Sequence, residues 1–226
     1  SSPPLVISEF HGTINIITIF IIFFFCLSYA WTALTRVHND LLLSINKQQV
    51  SALILLDLSA AFDTTDQSIL LNRLALNFGV TGSALSLLTS YLQNRSQSVS
   101  IDQVTSSSAS LLTGIPQGSV LGPLLFCLYT TPLSYIFSNS LISYHLYADD
   151  TQLYISFFSS EAFHQLSLLS TTLDSVYAWF QSNRLSVNPS KTEYLLIGTT
   201  QQRAKITSSS ISFCCNKISP SSDCRN

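Results

Sequence analysis

Ile142-Ser143-Tyr144-His145-Leu146-Tyr147-Ala148-Asp149-Asp150-Thr151-Gln152-Leu153-Tyr154-Ile155-Ser156-Phe157 is the stretch on which the reading of this chain turns. Before the two acids, Ile142, Tyr144 and Leu146 share one face at period two; after them, Leu153, Ile155 and Phe157 do the same. That alternation predicts a β-hairpin with Asp149 and Asp150 at its turn. Two carboxylates held at a rigid tip can bind a hard divalent cation through oxygen. Alone, the pair is also what an ordinary solvated turn contains. Its weight comes from a third acid upstream and a glycine-rich loop between them.

The third acid is Asp57, 92 residues before Asp149, at the end of the apolar run 51–56. A short continuous apolar run of this kind predicts a buried strand. Neighbouring strands of one sheet would carry Asp57 and Asp149 to the same end. Two Mg²⁺ ions a few ångströms apart need bridging carboxylates from more than one element, and such a pair stabilises both the attacking and the leaving oxygen of a phosphoryl displacement. The loop is Gly114-Ile115-Pro116-Gln117-Gly118-Ser119-Val120-Leu121-Gly122-Pro123. Its glycines allow close approach of backbone to a ligand, and Gln117 offers both a donor and an acceptor to a base or sugar edge.

Around these landmarks the remaining elements can be placed. Leu34, Val37, Leu41, Leu42 and Ile45 have helical spacing, and 69–78 and 83–92 read as helices punctuated by Gly79 and Gly82. Segments 97–101 and 109–112 are strand candidates. Pro123 suits the first turn of a helix running to Thr131, where Pro132 limits it. Phe163, Leu166, Leu169, Leu173, Val176 and Phe180 step by three and four, predicting a long helix with one buried face. Asn188-Pro189 breaks the chain, 193–197 is a last strand, and the Ser-rich sequence after Thr199 shows no pattern. The economical fold is α+β: an antiparallel sheet with helices on one face, in a split β-α-β arrangement.

The N-terminus has a different texture. From Phe10 to Thr35 there is no Asp, Glu, Lys or Arg, and Thr13 to Ala30 is an apolar run long enough for a membrane span. Ser28-Tyr29-Ala30 has the small residues of a signal-peptide cleavage site, although no basic region precedes it. The alternative is a mistranslated or misassembled segment. The organisation expected is therefore 1–31 as an apolar segment with membrane contact through residues 13–30 or as an artefact, 32–205 as a catalytic-type domain, and 206–226 as a Ser-rich tail. The first alternative implies a membrane location, the second a nuclear or cytoplasmic one.

Composition narrows the function classes. Net charge is −2, with ten Lys and Arg among 226 residues, too few for the broad basic face of a free-standing nucleic-acid binder. Mean hydropathy is +0.35. Five cysteines, an odd number without CxxC spacing, read as reduced thiols and not as a disulfide frame or zinc site. The chain has no Met even at position 1, which reads as a fragment or an incomplete gene model.

Residues 33–205 resemble the reverse transcriptase domain of a LINE-type (non-LTR) retrotransposon. The resemblance is carried by Ala52-Leu53-Ile54-Leu55-Leu56-Asp57-Leu58-Ser59-Ala60-Ala61-Phe62-Asp63, by the 114–123 loop, by Tyr147-Ala148-Asp149-Asp150, and by Asn188-Pro189-Ser190-Lys191-Thr192, in that order and spacing. It implies a polymerase palm that transfers deoxynucleotides to a DNA primer on an RNA template with two Mg²⁺ ions, Mn²⁺ being the alternative. Asp57, Asp149 and Asp150 match the metal-binding acids, and the Leu58 carbonyl would add a ligand. Phe62 matches the aromatic beside the sugar, Gln117 and Gly118 the loop beside template base and incoming dNTP, and Lys191 the lysine facing the departing pyrophosphate. Asp63 is a fourth acid that the family pattern does not make a metal ligand. The sequence departs from the family where basic fingers residues would precede Asp57 and where a thumb would follow. Gln67 stands where many relatives have His, and Thr130-Thr131 replaces a commonly polar-acidic pair. These departures leave a second expectation open, an inactive remnant, membrane-tethered or not, with a structural role or none.

Overall fold

The computed structural model describes residues 35–138, 140–147, 149–214 and 216–221, with only the backbone described at Tyr147. The apolar run 13–30, and the span and membrane contact expected of it, lie outside the described residues. Among the described residues no helix is long and apolar enough to cross a membrane.

In chain order the elements are helix α1 (35–46), strands β1 (Val50–Leu56) and β2 (Leu58–Ser59), then helices α2 (Ala61–Thr64), α3 (Gln67–Leu76) and α4 (Gly82–Leu92). Short strands β3 (Arg95–Gln97), β4 (Ser100–Ile101), β5 (Val104–Thr105) and β6 (Ala109–Leu111) follow, then helices α5 (Gly122–Thr130) and α6 (Leu133–Ser138). The hairpin β7 (Ser143–Tyr147) and β8 (Asp150–Phe157) leads to α7 (Ala162–Ser182), β9 (Ser186–Val187) and β10 (Glu193–Ile197). Helix α8 (Thr200–Arg203) and a last hairpin, β11 (Ile211–Phe213) and β12 (Asn216–Ile218), complete the described elements. The chain divides into two compact units, residues 60–131 and the segments on either side of them.

The second of these units holds the main sheet, antiparallel throughout, in the order β10-β1-β8-β7. Strand β1 is central, which explains its unbroken apolar sequence: both of its faces are covered. On one face Leu53, opposite both Leu195 and Tyr154, packs with Val37 of α1. The Tyr154 hydroxyl donates to Asp40 of α1 at 2.6 Å, and buried Ser51 bonds Ser44 and Ser156 at 2.9 and 2.8 Å. On the other face Val50, Ala52, Ile54 and Leu56 are buried with Leu153, Ile155 and Phe157. The sheet is thus covered on both faces, where helices on one face alone were expected. Each of these large aliphatic side chains contributes about 1.5–3 kcal/mol through burial.

Helix α7 follows the three-and-four spacing with one correction. Leu166, Leu169, Leu173, Val176 and Phe180 are buried, but Phe163, in the first turn, is 83% exposed and Ala162 takes the inner position. The helix ends with Arg184 in the left-handed region (φ +58°) and the Leu185 N–H donating to the Phe180 carbonyl, a Schellman-type stop. The stretch after Thr199, expected to be patternless, instead forms α8 and the β11–β12 hairpin. Ile211 and Phe213 are buried there, and Phe213 lies edge-on to Tyr177 of α7 at 6.1 Å.

Residues 60–131 have their own core of Leu70, Leu74, Val80, Leu88, Leu92, Phe126 and Tyr129. Asp66 caps α3 by accepting from the Ser68 and Ile69 N–H groups, worth about 1 kcal/mol. Arg73 of α3 lies 4.9 Å over the Tyr129 ring of α5 and donates to the Tyr129 carbonyl; burial lowers its basicity. Strands β3 and β6 pair, and beyond them β4 and β5 turn through Asp102 and Gln103, both at positive φ, as in a type I′ hairpin.

Candidate active site

Asp57 follows directly on β1, whose last residue Leu56 is paired with Thr151 of β8. Tyr147 pairs with Asp150, and Asp149 lies in the turn between them. The next positions beyond the Leu56–Thr151 pair are Asp57 and Asp150, so this register carries all three acids to one end of the sheet. Their charges are felt there. The Asp150 carboxyl is pushed above its ordinary value, first by desolvation and then by the negative charges of Asp149 and Asp57. Such a group of hard oxygen donors, mutually repelling when ionised, has the chemistry that a divalent cation requires. Among the described residues no three His, Cys, Asp or Glu side chains are gathered closely enough to hold a metal by themselves.

A second loop is tied to the same strand end. Leu58 and Ser59 pair with Val187 and Ser186, and the Asn188 N–H donates to the Asp57 carbonyl at 2.8 Å. Asn188 then organises its own turn. Its side-chain oxygen accepts from the Ser190 N–H and hydroxyl, and its carbonyl accepts from the Lys191 and Thr192 N–H groups and the Thr192 hydroxyl. Lys191 is exposed on this turn, three residues from the bond to Asp57. Leu58 itself has a buried side chain. From the residues alone Asn188-Pro189 reads as a chain break, and the resemblance adds the role of Lys191; the bond to Asp57 was not foreseen, although an Asn opening a turn is the signal for such an organised loop.

Within residues 60–131, the glycine-rich loop is stitched to the short helix that carries Phe62. The Gly114 N–H donates to Thr65, the Ile115 N–H to Phe62, and the Thr113 hydroxyl to the Asp63 carbonyl. Gly114 has φ +91°, and a Cβ there would lie 3.0 Å from the Asp63 carbonyl oxygen, so only glycine fits. Its carbonyl accepts from the buried Gln67 amide at 3.1 Å and from Arg95 at 3.4 Å. Phe62 packs against Phe126 with ring centroids 5.2 Å apart. Gln117 and Gly118 are exposed, and the Gln117 amide nitrogen lies 2.9 Å from both carboxylate oxygens of Asp63. Phe62, Gln117 and Gly118 are therefore brought into one assembly, while Asp57, Leu58, Asp149, Asp150 and Lys191 belong to the other unit. The sequence marked Gln67, Asp63 and Gln117 but not the bonds that they make here, and it did not mark Arg95.

Comparison with known proteins gives a consistent picture. The family model described as "Reverse transcriptase (RNA-dependent DNA polymerase)" matches residues 28–214. A probable RNA-directed DNA polymerase from transposon BS of Drosophila melanogaster is 30% identical over 168 residues, 70% of this chain and 17% of that protein. The RNA-directed DNA polymerase from mobile element jockey of the same organism is 28% identical over 164 residues, again 70% and 17%. The corresponding protein of transposon X-element is 34% identical over 97 residues, 43% of this chain and 10% of its own length. The chain thus spans less than a fifth of these relatives. Among solved structures, Candida tropicalis telomerase in complex with a fragment of telomeric RNA superimposes with a TM-score of 0.57 at 14% identity, covering 82% of this chain and 31% of that one. The apo form of that telomerase, truncated from its C-terminal domain, gives 0.54 at 17% identity, covering 82% and 38%. At such identities the likeness is one of fold.

Proposed function

The chain belongs to the reverse transcriptase family, as a domain of a LINE-type (non-LTR) element, and on that premise we propose that it is the palm of an RNA-directed DNA polymerase. The observation that carries this reading is the register Leu56–Thr151, which brings Asp57 and the Asp149-Asp150 turn to one end of a four-stranded antiparallel sheet.

In this reading Asp57, Asp149 and Asp150, with the Leu58 carbonyl, would hold two Mg²⁺ ions, or Mn²⁺ in their place. When bound, these ions neutralise charge on the triphosphate and on the attacking and leaving oxygens. The three carboxylates would suffice for this, since sites for such an ion are commonly built from one or two protein carboxylates together with substrate phosphates. The other residues position. Phe62, braced by Phe126, takes the sugar of the incoming dNTP and crowds a 2′-hydroxyl. Gln117 and Gly118 lie beside the RNA template base and the nucleotide. Lys191, on the turn bonded to Asp57, offers a point cation to the departing pyrophosphate. The DNA primer supplies the attacking hydroxyl. Orientation and charge stabilisation provide most of the rate.

The test joins metal binding to activity. Mn²⁺ added to the labelled chain should broaden the resonances of residues 57, 149 and 150 first, and Asp149→Ala should abolish this. Incorporation of a deoxynucleotide on an RNA-templated primer should be lost in the same variant. Absence of selective broadening together with incorporation indifferent to Asp149 would defeat the assignment.

A further inference from the structure

The Gln117 side chain is usually free to present either end of its amide, since one end donates and the other accepts. Here that freedom is removed. An ionised carboxylate only accepts, so the amide end facing Asp63 must be the nitrogen. Both Asp63 oxygens lie 2.9 Å from it. The pair is not a chance meeting of two mobile surface groups. The backbone on either side is fastened by the Thr113 hydroxyl on the Asp63 carbonyl at 3.0 Å, by the Ile115 N–H on the Phe62 carbonyl at 2.8 Å, and by the close approach of Gly114 to Asp63. Gln67 and Arg95 hold the Gly114 carbonyl from the other side. Among the described residues the Gln117 carbonyl oxygen has no protein partner.

We propose that Asp63 is a positioning residue that locks the Gln117 amide with its nitrogen turned to the protein and its oxygen offered to substrate. The proposal rests on the polymerase reading for the identity of that substrate. The ligand group it selects is a hydrogen-bond donor, a hydroxyl or amino group of the incoming nucleotide or of the template base. Asp63 thereby acts through Gln117, without touching substrate or metal.

The experiment has two arms on the full chain. In the first, the side-chain amide signals of Gln117 are assigned in ¹⁵N-labelled protein by their disappearance in Gln117→Ala. Asp63→Ala should shift both amide protons and speed their exchange with water, while backbone signals outside 60–67 and 113–119 stay in place. Unmoved Gln117 side-chain signals would overturn the proposal. In the second, binding of a deoxynucleoside triphosphate with Mg²⁺ is measured for wild type, both single variants and the double variant. Asp63→Ala should weaken binding about three- to tenfold, the worth of one hydrogen bond, and should cause no further loss in the Gln117→Ala background. Equal losses in both backgrounds would show that Asp63 acts independently and would overturn the proposal. A wild-type chain that binds no triphosphate would count against the polymerase reading, and the amide signals alone would then decide the role of Asp63.

Discussion

Replacing Gly114 by alanine should be the most damaging single-methyl change in the loop. The backbone there is at φ +91°, and the added Cβ would lie 3.0 Å from the Asp63 carbonyl oxygen, 3.2 Å from the Asp63 Cα and 3.3 Å from the Phe62 carbonyl oxygen. All three are backbone atoms, so no side chain can swing aside. Neither carbonyl can retreat without weakening a bond, because Phe62 accepts from Ile115 and Asp63 from Thr113. The conformational cost is about 1–2 kcal/mol and each weakened hydrogen bond about 1 kcal/mol, together about 2–4 kcal/mol. With a urea slope of about 2 kcal/mol/M, the unfolding midpoint should fall by about 1–2 M. Gly118→Ala is the control. Its φ is +69°, but a Cβ there meets nothing within 4 Å, so only the conformational cost of about 1–2 kcal/mol applies. The assay is urea denaturation of the three proteins followed by far-UV circular dichroism. Equal midpoints for the two variants would refute the claim that the loop is clamped onto the Phe62–Asp63 backbone.

Other perturbations probe the sheet. Ile54→Ala, at a fully buried position of the central strand, should cost about 2–5 kcal/mol in the same denaturation experiment. The Tyr154 phenol is pushed up to about 12 by burial and by its bond to Asp40. Its contribution to stability should be fully present below the ordinary value of about 10 and lost as pH rises through about 12, and Tyr154→Phe should remove that part of the alkaline slope. The His145 imidazole is held below its ordinary value by burial and then by the Arg36 charge. The unfolded chain therefore takes up this proton first as pH falls through about 6.5, so stability should be complete above that value and decline below it. His145→Gln should flatten this acid slope, and an unchanged slope in thermal melts between pH 7 and 5 would refute the assignment.

How much of this was legible in the sequence depended on whether a pattern was carried by side chains. Strand β1, the β7–β8 hairpin and β10 announced themselves through apolar runs and alternation, because a sheet sorts residues by face. The glycine loop was legible because positive φ demands glycine. Four features were not. The β2–β9 pairing and the Asn188 bond to Asp57 are backbone interactions over two residues, with no periodicity to detect. The buried pair Ile211 and Phe213 was hidden in a serine run too short to establish a period. Phe163 fitted the helical spacing yet faces solvent, since spacing fixes a stripe but not where along the helix its cover ends. At the candidate site, Asp57, Asp149 and Asp150 were singled out by type and context, and the strand register sets them at one end of the sheet, whereas the Asp63–Gln117 pair joins residues 54 positions apart with no local pattern to announce it.

The central place of β1 has a consequence for how this domain is made. Its two neighbours in the sheet are residues 150–157 and 193–197, so the strand that leads into Asp57 is synthesised long before either partner exists. Loop closure over such separations must come before any pairing energy is gained, which slows folding and leaves strand edges open in the interval. On the ribosome, β1 would emerge as an apolar, unpaired strand and wait for the last strand of its sheet. A nascent chain released before Ile197 would retain that open edge, a template for association with other copies. The acids at the end of the sheet would then be assembled late and together, or not at all.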